Sequence, residues 1–212
     1  YGSGLFTVNP NSETIHSESY LPPDSSESRH FIYRLMQDTK GGIWIASWGF
    51  GISRYDPQKK TYTHYSREAD SGRPIVNPFI RPIIERNDGS VWFGSNEGRL
   101  YRADPGSQAL SFYQLYQDDD QKIPLEDNLF SLLFDNDDDL WVGTLNSGLF
   151  LCHFQNDQLT RVQRFQAGSA PDMLGDDHIR DLLESSQIPG QIWICTDYGL
   201  YVLHKKNGTF TR

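Results

Sequence analysis

The chain has 212 residues and a formal charge of −9; aromatic side chains make up 13% of it and glycines number 18. That length can bury a substantial core within one domain, and there is no run of about 18 apolar residues to cross a bilayer as a helix. An acidic chain repels phosphate backbones, which argues against nucleic acid as a partner.

Residues 1–17 read as two strands, the first opening on Gly4-Leu5-Phe6. Residues 30–65 follow with a recognisable order: a β-prone run IYRLMQ, a turn TKGG, a strand around Trp44, a second turn, the strand GISRYD and an aromatic strand from Tyr62 to Tyr65. The same order returns over 77–113, with IRPIIE, the turn NDGS, Trp92, RLYRAD and Leu110 to Tyr113. It returns again over 126–163, with LFSLLF, NDDD, Trp141, GLFLCH and Leu159 to Val162. The last unit, 177–212, has IRDLLE, a longer turn SQIPGQ, Trp193, GLYVLH and Phe210. Alternating β-prone runs broken by Gly, Asn, Asp and Pro are strands and turns.

The four tryptophans recur at intervals of 48, 49 and 52 residues. A period near 40 to 50 residues with four strands per unit is the signature of propeller blades. The expected fold is therefore all-β: a β-propeller segment of four complete four-stranded blades plus two outer strands of a preceding one, an arc of a larger propeller. Exposed sheet edges would then favour pairing between copies.

The columns of this alignment have physical reasons. The tryptophans are expected in the core between blades. Two residues later stand Ala46, Gly94, Gly143 and Cys195, all small, so a bulky group from the neighbouring blade should pack there. Next come Ser47, Ser95, Thr144 and Thr196, whose hydroxyls can bond the following turn. Gly51, Gly148 and Gly199 open the next strand, and Gly98 can serve beside Arg99, suggesting a positive φ at each. Cys152 and Cys195 are expected as two buried thiols rather than a disulfide.

The pattern D-x-x-G-x-[IV]-W-[IV]-G-[ST] followed by G-[IL]-x-x-[YF]-[DN] resembles the two-component regulator propeller repeat. DTKGGIWIASWGFGISRYD, RNDGSVWFGSNEGRLYRAD and DNDDDLWVGTLNSGLFLCH carry it, and the resemblance covers essentially the whole chain. Blade two departs by placing Arg86 where Asp is usual, and blade four by its turn around Pro189. The resemblance implies the periplasmic part of a membrane-anchored sensor, with a histidine kinase or diguanylate cyclase as output and an oligosaccharide as signal.

In a propeller, the loops entering the inner strands share one face with the loops that follow the tryptophan strands. That mouth is the expected ligand site. Tyr33, Arg34, Arg81, Phe130 and Arg180 start the inner strands; Trp48, Phe50, Asn96, Glu97, Asn146, Asp197 and Tyr198 follow the tryptophan strands. Aromatic rings suit the apolar face of a sugar, amides and carboxylates its hydroxyls, and arginines an acidic sugar through bidentate pairing. A scaffold or dimerisation role is an alternative, as is a propeller lyase or glycosidase using Glu97 and Asp197 at the mouth. No catalytic residue, metal or cofactor is expected: the runs Asp118–Asp120 and Asp135–Asp139 read as a solvated loop and a solvated turn, and no nucleophile elbow, phosphate loop or zinc motif is present.

Overall fold

Each tryptophan phrase forms the second strand of a four-stranded antiparallel sheet, in the computed structural model that describes residues 5–9, 11–12, 14–18, 31–48, 51–65, 79–104, 110–118, 122–170 and 172–212. A hairpin of β1 (Leu5–Asn9) and β2 (Thr14–Glu18) comes first. The first sheet orders β3 (Phe31–Gln37), β4 (Ile43–Trp48), β5 (Ile52–Asp56) and β6 (Thr61–Tyr65). The second orders β7 (Ile83–Glu85), β8 (Val91–Gly94), β9 (Arg99–Ala103) and β10 (Leu110–Gln114). After a short hairpin, β11 (Tyr116–Asp118) with β12 (Ile123–Pro124), the third orders β13 (Leu129–Phe134), β14 (Leu140–Thr144), β15 (Leu149–Gln155) and β16 (Gln158–Phe165). The fourth orders β17 (Ile179–Glu184), β18 (Gln191–Thr196), β19 (Gly199–His204) and β20 (Thr209–Thr211). Inner strands of successive sheets lie side by side: β3 by β7, β7 by β13, β13 by β17. The chain is a partial β-propeller, with no helix among the described residues.

The core lies between sheets. Trp44 packs with Ile80, just ahead of the second sheet, and with Ile83, Val91 and Phe93 within it. Trp92 packs with Leu129, Leu140 and Val142 of the third, and Trp141 with Ile179, Ile192 and Ile194 of the fourth. Each indole thus faces the sheet that follows it. An aromatic from its own outer strand stacks on it: Tyr65 on Trp44, Tyr113 on Trp92 and Phe165 on Trp141. The small-residue column lets this approach happen. A Cβ on Gly94 would meet Leu129 at 2.6 Å, and one on Gly143 would meet Ile179 at 2.5 Å.

Two expectations require correction. Trp193 is 37% exposed and Cys195 is also exposed, because none of the described residues covers the face of the fourth sheet they occupy; only Cys152 is a buried thiol. In the Asp135–Asp139 run the turn residues Asn136, Asp137 and Asp138 are exposed as a solvated turn should be, but the aspartate ahead of them is not. Asp135 is buried, and one carboxylate oxygen accepts bonds from the amides of Asp137 (2.9 Å) and Asp139 (3.1 Å). Its other oxygen accepts the Trp141 indole N–H at 2.7 Å and Lys205 at 2.6 Å. Asp38 repeats this, accepting from Gly42 (2.7 Å), Trp44 (2.8 Å) and Arg54 (2.6 Å). The aspartate six residues before the tryptophan therefore shapes the turn and satisfies a buried indole. Of the Asp118–Asp120 run, Asp119 and Asp120 lie outside the described residues, while the buried Leu115 and Leu125 flank the short hairpin of that loop.

Arg86 breaks the aspartate column, and the structure supplies the reason. In the second sheet the Trp92 N–H donates to Ser90 instead, at 3.0 Å. At the other junctions a glutamate closing the inner strand accepts a turn amide from the preceding sheet: Glu85 from Thr39 and Glu184 from Asn136, both at 2.8 Å. Between the second and third sheets Phe134 stands in the glutamate's place. Arg86 lies over its ring, 5.4 Å from the centroid, and pairs bidentately with Asp138. Carboxylate-to-amide has been exchanged for guanidinium-to-ring plus an ion pair.

Truncating Trp141 to Ala should cost about 3–5 kcal/mol in urea unfolding, and truncating Trp193 distinctly less, because only the first leaves a cavity between two sheets. Burial pushes the Asp38 carboxyl up, but bonds from Arg54, Trp44 and Gly42 hold it below its ordinary range. Its stabilisation is complete above the unfolded carboxylate pKa and is lost as pH falls through the lower folded value. Asp38→Asn should therefore be less stable at neutral pH by about 3 kcal/mol. It should also lose less melting temperature than the parent on acidification from about pH 4 to pH 2.

Candidate functional site at the loop face

The mouth is built by irregular strand starts. The pairing of β3 with β4 shifts register between Ile32 and Arg34, that of β13 with β14 between Leu129 and Ser131, and that of β17 with β18 between Ile179 and Asp181. The extra residues at these bulges are Tyr33, Phe130 and Arg180, and Arg81 holds the same column just ahead of β7. A bulge re-aims one side chain out of the alternation, and here it does so at the same place in the first, third and fourth sheets.

The structure joins part of the expected set into one row. The guanidinium of Arg81 lies 3.9 Å from the centroid of the Phe130 ring, and that of Arg180 lies 5.1 Å from it. One phenyl ring thus carries two cations. Arg180 is fixed in turn by Asp197, with contacts of 2.5 and 2.7 Å. That pairing holds the Asp197 carboxyl below its ordinary range and raises Arg180. Tyr33, 41% exposed, belongs to a separate contact, 5.0 Å from Phe79. Arg34 is exposed and pairs in register with Ala46.

The remaining expected residues divide by loop. Trp48 ends β4 opposite Phe31, and Phe50 lies outside the described residues. Asn96 is half-buried, and its side-chain oxygen is buried with no partner among the described residues. Glu97 places a carboxylate oxygen 3.9 Å from Arg99, and its carbonyl accepts from Gln114. Asn146 donates from its backbone and side chain to Asp127, at 2.8 and 3.2 Å. Tyr198 is 72% exposed, and its amide donates to Asp176 at 3.2 Å.

Asp127 and Asp176 are the residues that sequence reasoning missed. Both are buried, and each ties the loop entering an inner strand to the loop following the tryptophan strand of the same sheet. Burial raises the Asp176 carboxyl, yet bonds from His178, Tyr198 and Thr196 bring it below its ordinary range. The available signal was an acid two or three residues ahead of the inner strand, in LEDN and GDDH. The glycine and hydroxyl columns complete the loops: Gly51, Gly98, Gly148 and Gly199 all have positive φ. Ser47, Thr144 and Thr196 donate to the carbonyls of Gly51, Gly148 and Gly199, and Ser95 accepts from the Glu97 amide.

The sequence matches no protein-family model and no curated protein. Its likeness is structural. A protein described as the extracellular domain of a hybrid two-component system of B. thetaiotaomicron aligns with 99% of this chain at a TM-score of 0.74 and 18% identity. A second such extracellular domain from the same organism aligns with 99% at 0.72 and 22%. PorZ, a surface component of the type-IX secretion system of Porphyromonas gingivalis, aligns with 96% at 0.72 and 18%. The chain spans 27%, 25% and 29% of these proteins. At these identities the likeness establishes the propeller fold.

Replacing Asp127 with Ala should speed amide hydrogen exchange at Asn128 and Asn146 selectively, with a stability loss of about 2 kcal/mol, because two amides lose a buried acceptor.

Proposed function

We propose that this chain is part of an extracytoplasmic sensor propeller of the two-component type, in which the loop face binds a saccharide. The bound state passes to an attached output domain. The observation that carries this reading is the Arg81–Phe130–Arg180 row at the mouth: an apolar ring flanked by two cations. Such a row suits a sugar ring bearing a carboxylate, with stacking on one side and bidentate pairing on the other. The likeness to extracellular domains of hybrid two-component systems supports a sensing role and an extracytoplasmic location. Signalling follows if the ligand binds one placement of the propeller, relative to its neighbours, better than another.

The lyase or glycosidase reading is less well supported. Asp197 is committed to Arg180 and held ionised, so it is a poor proton donor. A scaffold reading draws support from the uncovered face of the fourth sheet, where Leu183 (66%), Leu200 (46%) and Trp193 are exposed.

Thermal-shift titration with neutral and uronate-containing oligosaccharides tests the proposal. Acidic oligosaccharides should raise the melting temperature. Arg81→Ala should weaken that binding about tenfold or more by removing a charge-assisted pair. Phe130→Ala should weaken neutral and acidic sugars alike. Binding that survives both substitutions would move the site elsewhere, and polysaccharide turnover by the parent that is lost on substituting Glu97 and Asp197 would favour the enzymatic alternative instead.

A further inference from the structure

Three times in this molecule the tryptophan face of one sheet is covered by the sheet that follows. Part of each cover comes from the same two places in the third strand, two and four residues after the turn-glycine column. These are Tyr101 and Ala103 over Trp44, Phe150 and Cys152 over Trp92, and Tyr201 and Leu203 over Trp141. None of the six is more than 6% exposed.

Both halves of this junction also occur uncovered. On the fourth sheet Leu183, Trp193 and Val202 form one cross-strand row, with Cys195 and Leu200 in the next. These are the places of Leu133, Trp141 and Leu151, and of Gly143 and Leu149, in the third sheet. There the face is closed; here Leu183 is 66%, Leu200 46% and Trp193 37% exposed. The indole also lacks its aromatic neighbour. Phe165 stands opposite Leu149 and stacks on Trp141, whereas β20 pairs only with Val202, Leu203 and His204 and places nothing opposite Leu200.

The covering half lies in β1. Its phrase Gly4-Leu5-Phe6-Thr7-Val8 matches Gly148-Leu149-Phe150-Leu151-Cys152, and it pairs antiparallel with β2 as β15 does with β16. Phe6 and Val8 thus hold the two places that cover an indole at the internal junctions, yet they are 57% and 63% exposed. The first sheet offers no alternative cover, because Ile45 and Ser53 on its corresponding face are already fully buried.

Apolar groups this open mark contact surfaces, and two different complementary patches on one molecule join copies head to tail. We infer that a second copy of this chain docks on the fourth sheet, with Phe6 and Val8 of one copy laid over Trp193, Leu200 and Val202 of the next, as Phe150 and Cys152 lie over Trp92 within the chain. The hairpin has only two strands of five residues, so the contact is smaller and weaker than an internal junction. It is separate from the mouth and does not depend on the saccharide reading.

Sedimentation velocity over about 5 to 500 µM should show a sedimentation coefficient that rises with concentration. Trp193→Glu and Phe6→Glu should each keep the protein monomeric, since either removes one half of the contact from every copy. Mixed in equal amounts, the two variants should form dimers and nothing larger, because each retains the half that the other has lost. In the parent, the Trp193 indole N–H and Val8 methyl resonances should shift together as concentration rises. A parent that stays monomeric throughout overturns the inference, as does a mixture of the two variants that stays monomeric. Association that survives both substitutions would place the contact on sheet edges, and association lost in Trp193→Glu but kept in Phe6→Glu would set two fourth-sheet faces together; either result overturns it. Should one variant not fold, the parent's resonances decide: Trp193 moving without Val8, or neither moving, is the overturning result.

Discussion

The rest of this structure depends on one contact made three times: an indole from one sheet lying against the aliphatic face of the next. Sheets can pack face to face only when their side chains interdigitate. Ala46, Gly94 and Gly143 provide the depressions into which the next inner strand settles, and Trp44, Trp92 and Trp141 fill the space outward of them. A buried indole also brings a polar N–H that must find an acceptor. Asp38 and Asp135 meet that need while holding the turns that aim the tryptophan strands. Packing, turn geometry and polar satisfaction therefore converge on the same few residues of each repeat.

The junctions share a geometry but not a chemistry. Between the first and second sheets, and between the third and fourth, a glutamate receives a turn amide; between the second and third, Arg86 and Phe134 take over. The exchange is reciprocal, since an arginine in the aspartate column would face a glutamate in the next sheet as a lone ion pair but faces a phenyl ring here. The cation that balances the turn aspartate also varies in origin. Arg54 comes from the same sheet as Asp38, whereas Lys205 reaches Asp135 from the next one. These local exchanges make each interface distinct within an otherwise repeated fold, which favours one order of packing over its alternatives.

At the mouth, the same regularity supplies a frame on which irregularity is useful. Strand alternation would turn a residue at the start of an inner strand toward one neighbouring sheet or the other. The bulges at Tyr33, Phe130 and Arg180 break that alternation. The buried acids Asp127 and Asp176 then lock the flanking loops so that the exposed groups are presented from ordered backbone. A receptor surface needs such support, because loop freedom left in the unbound state must be given up on binding.

Much of this was legible in the residues. The spacing of four tryptophans, the small residues two positions on, the hydroxyls after them and the turn glycines were enough to determine strand order, sheet size and the positive-φ sites, because each reflects a local requirement of turn or pleat that any copy of the repeat must meet. The candidate mouth was legible only as a set of positions. Tertiary structure decided which of them meet, joining Arg81, Phe130 and Arg180 across three sheets while committing Asn146 to Asp127. It also decided that Trp193 is exposed although it sits in the same column as three buried indoles. Burial and pairing across sheets depend on what stands opposite, and the residue opposite lies a whole repeat away in the chain, beyond the reach of any local pattern.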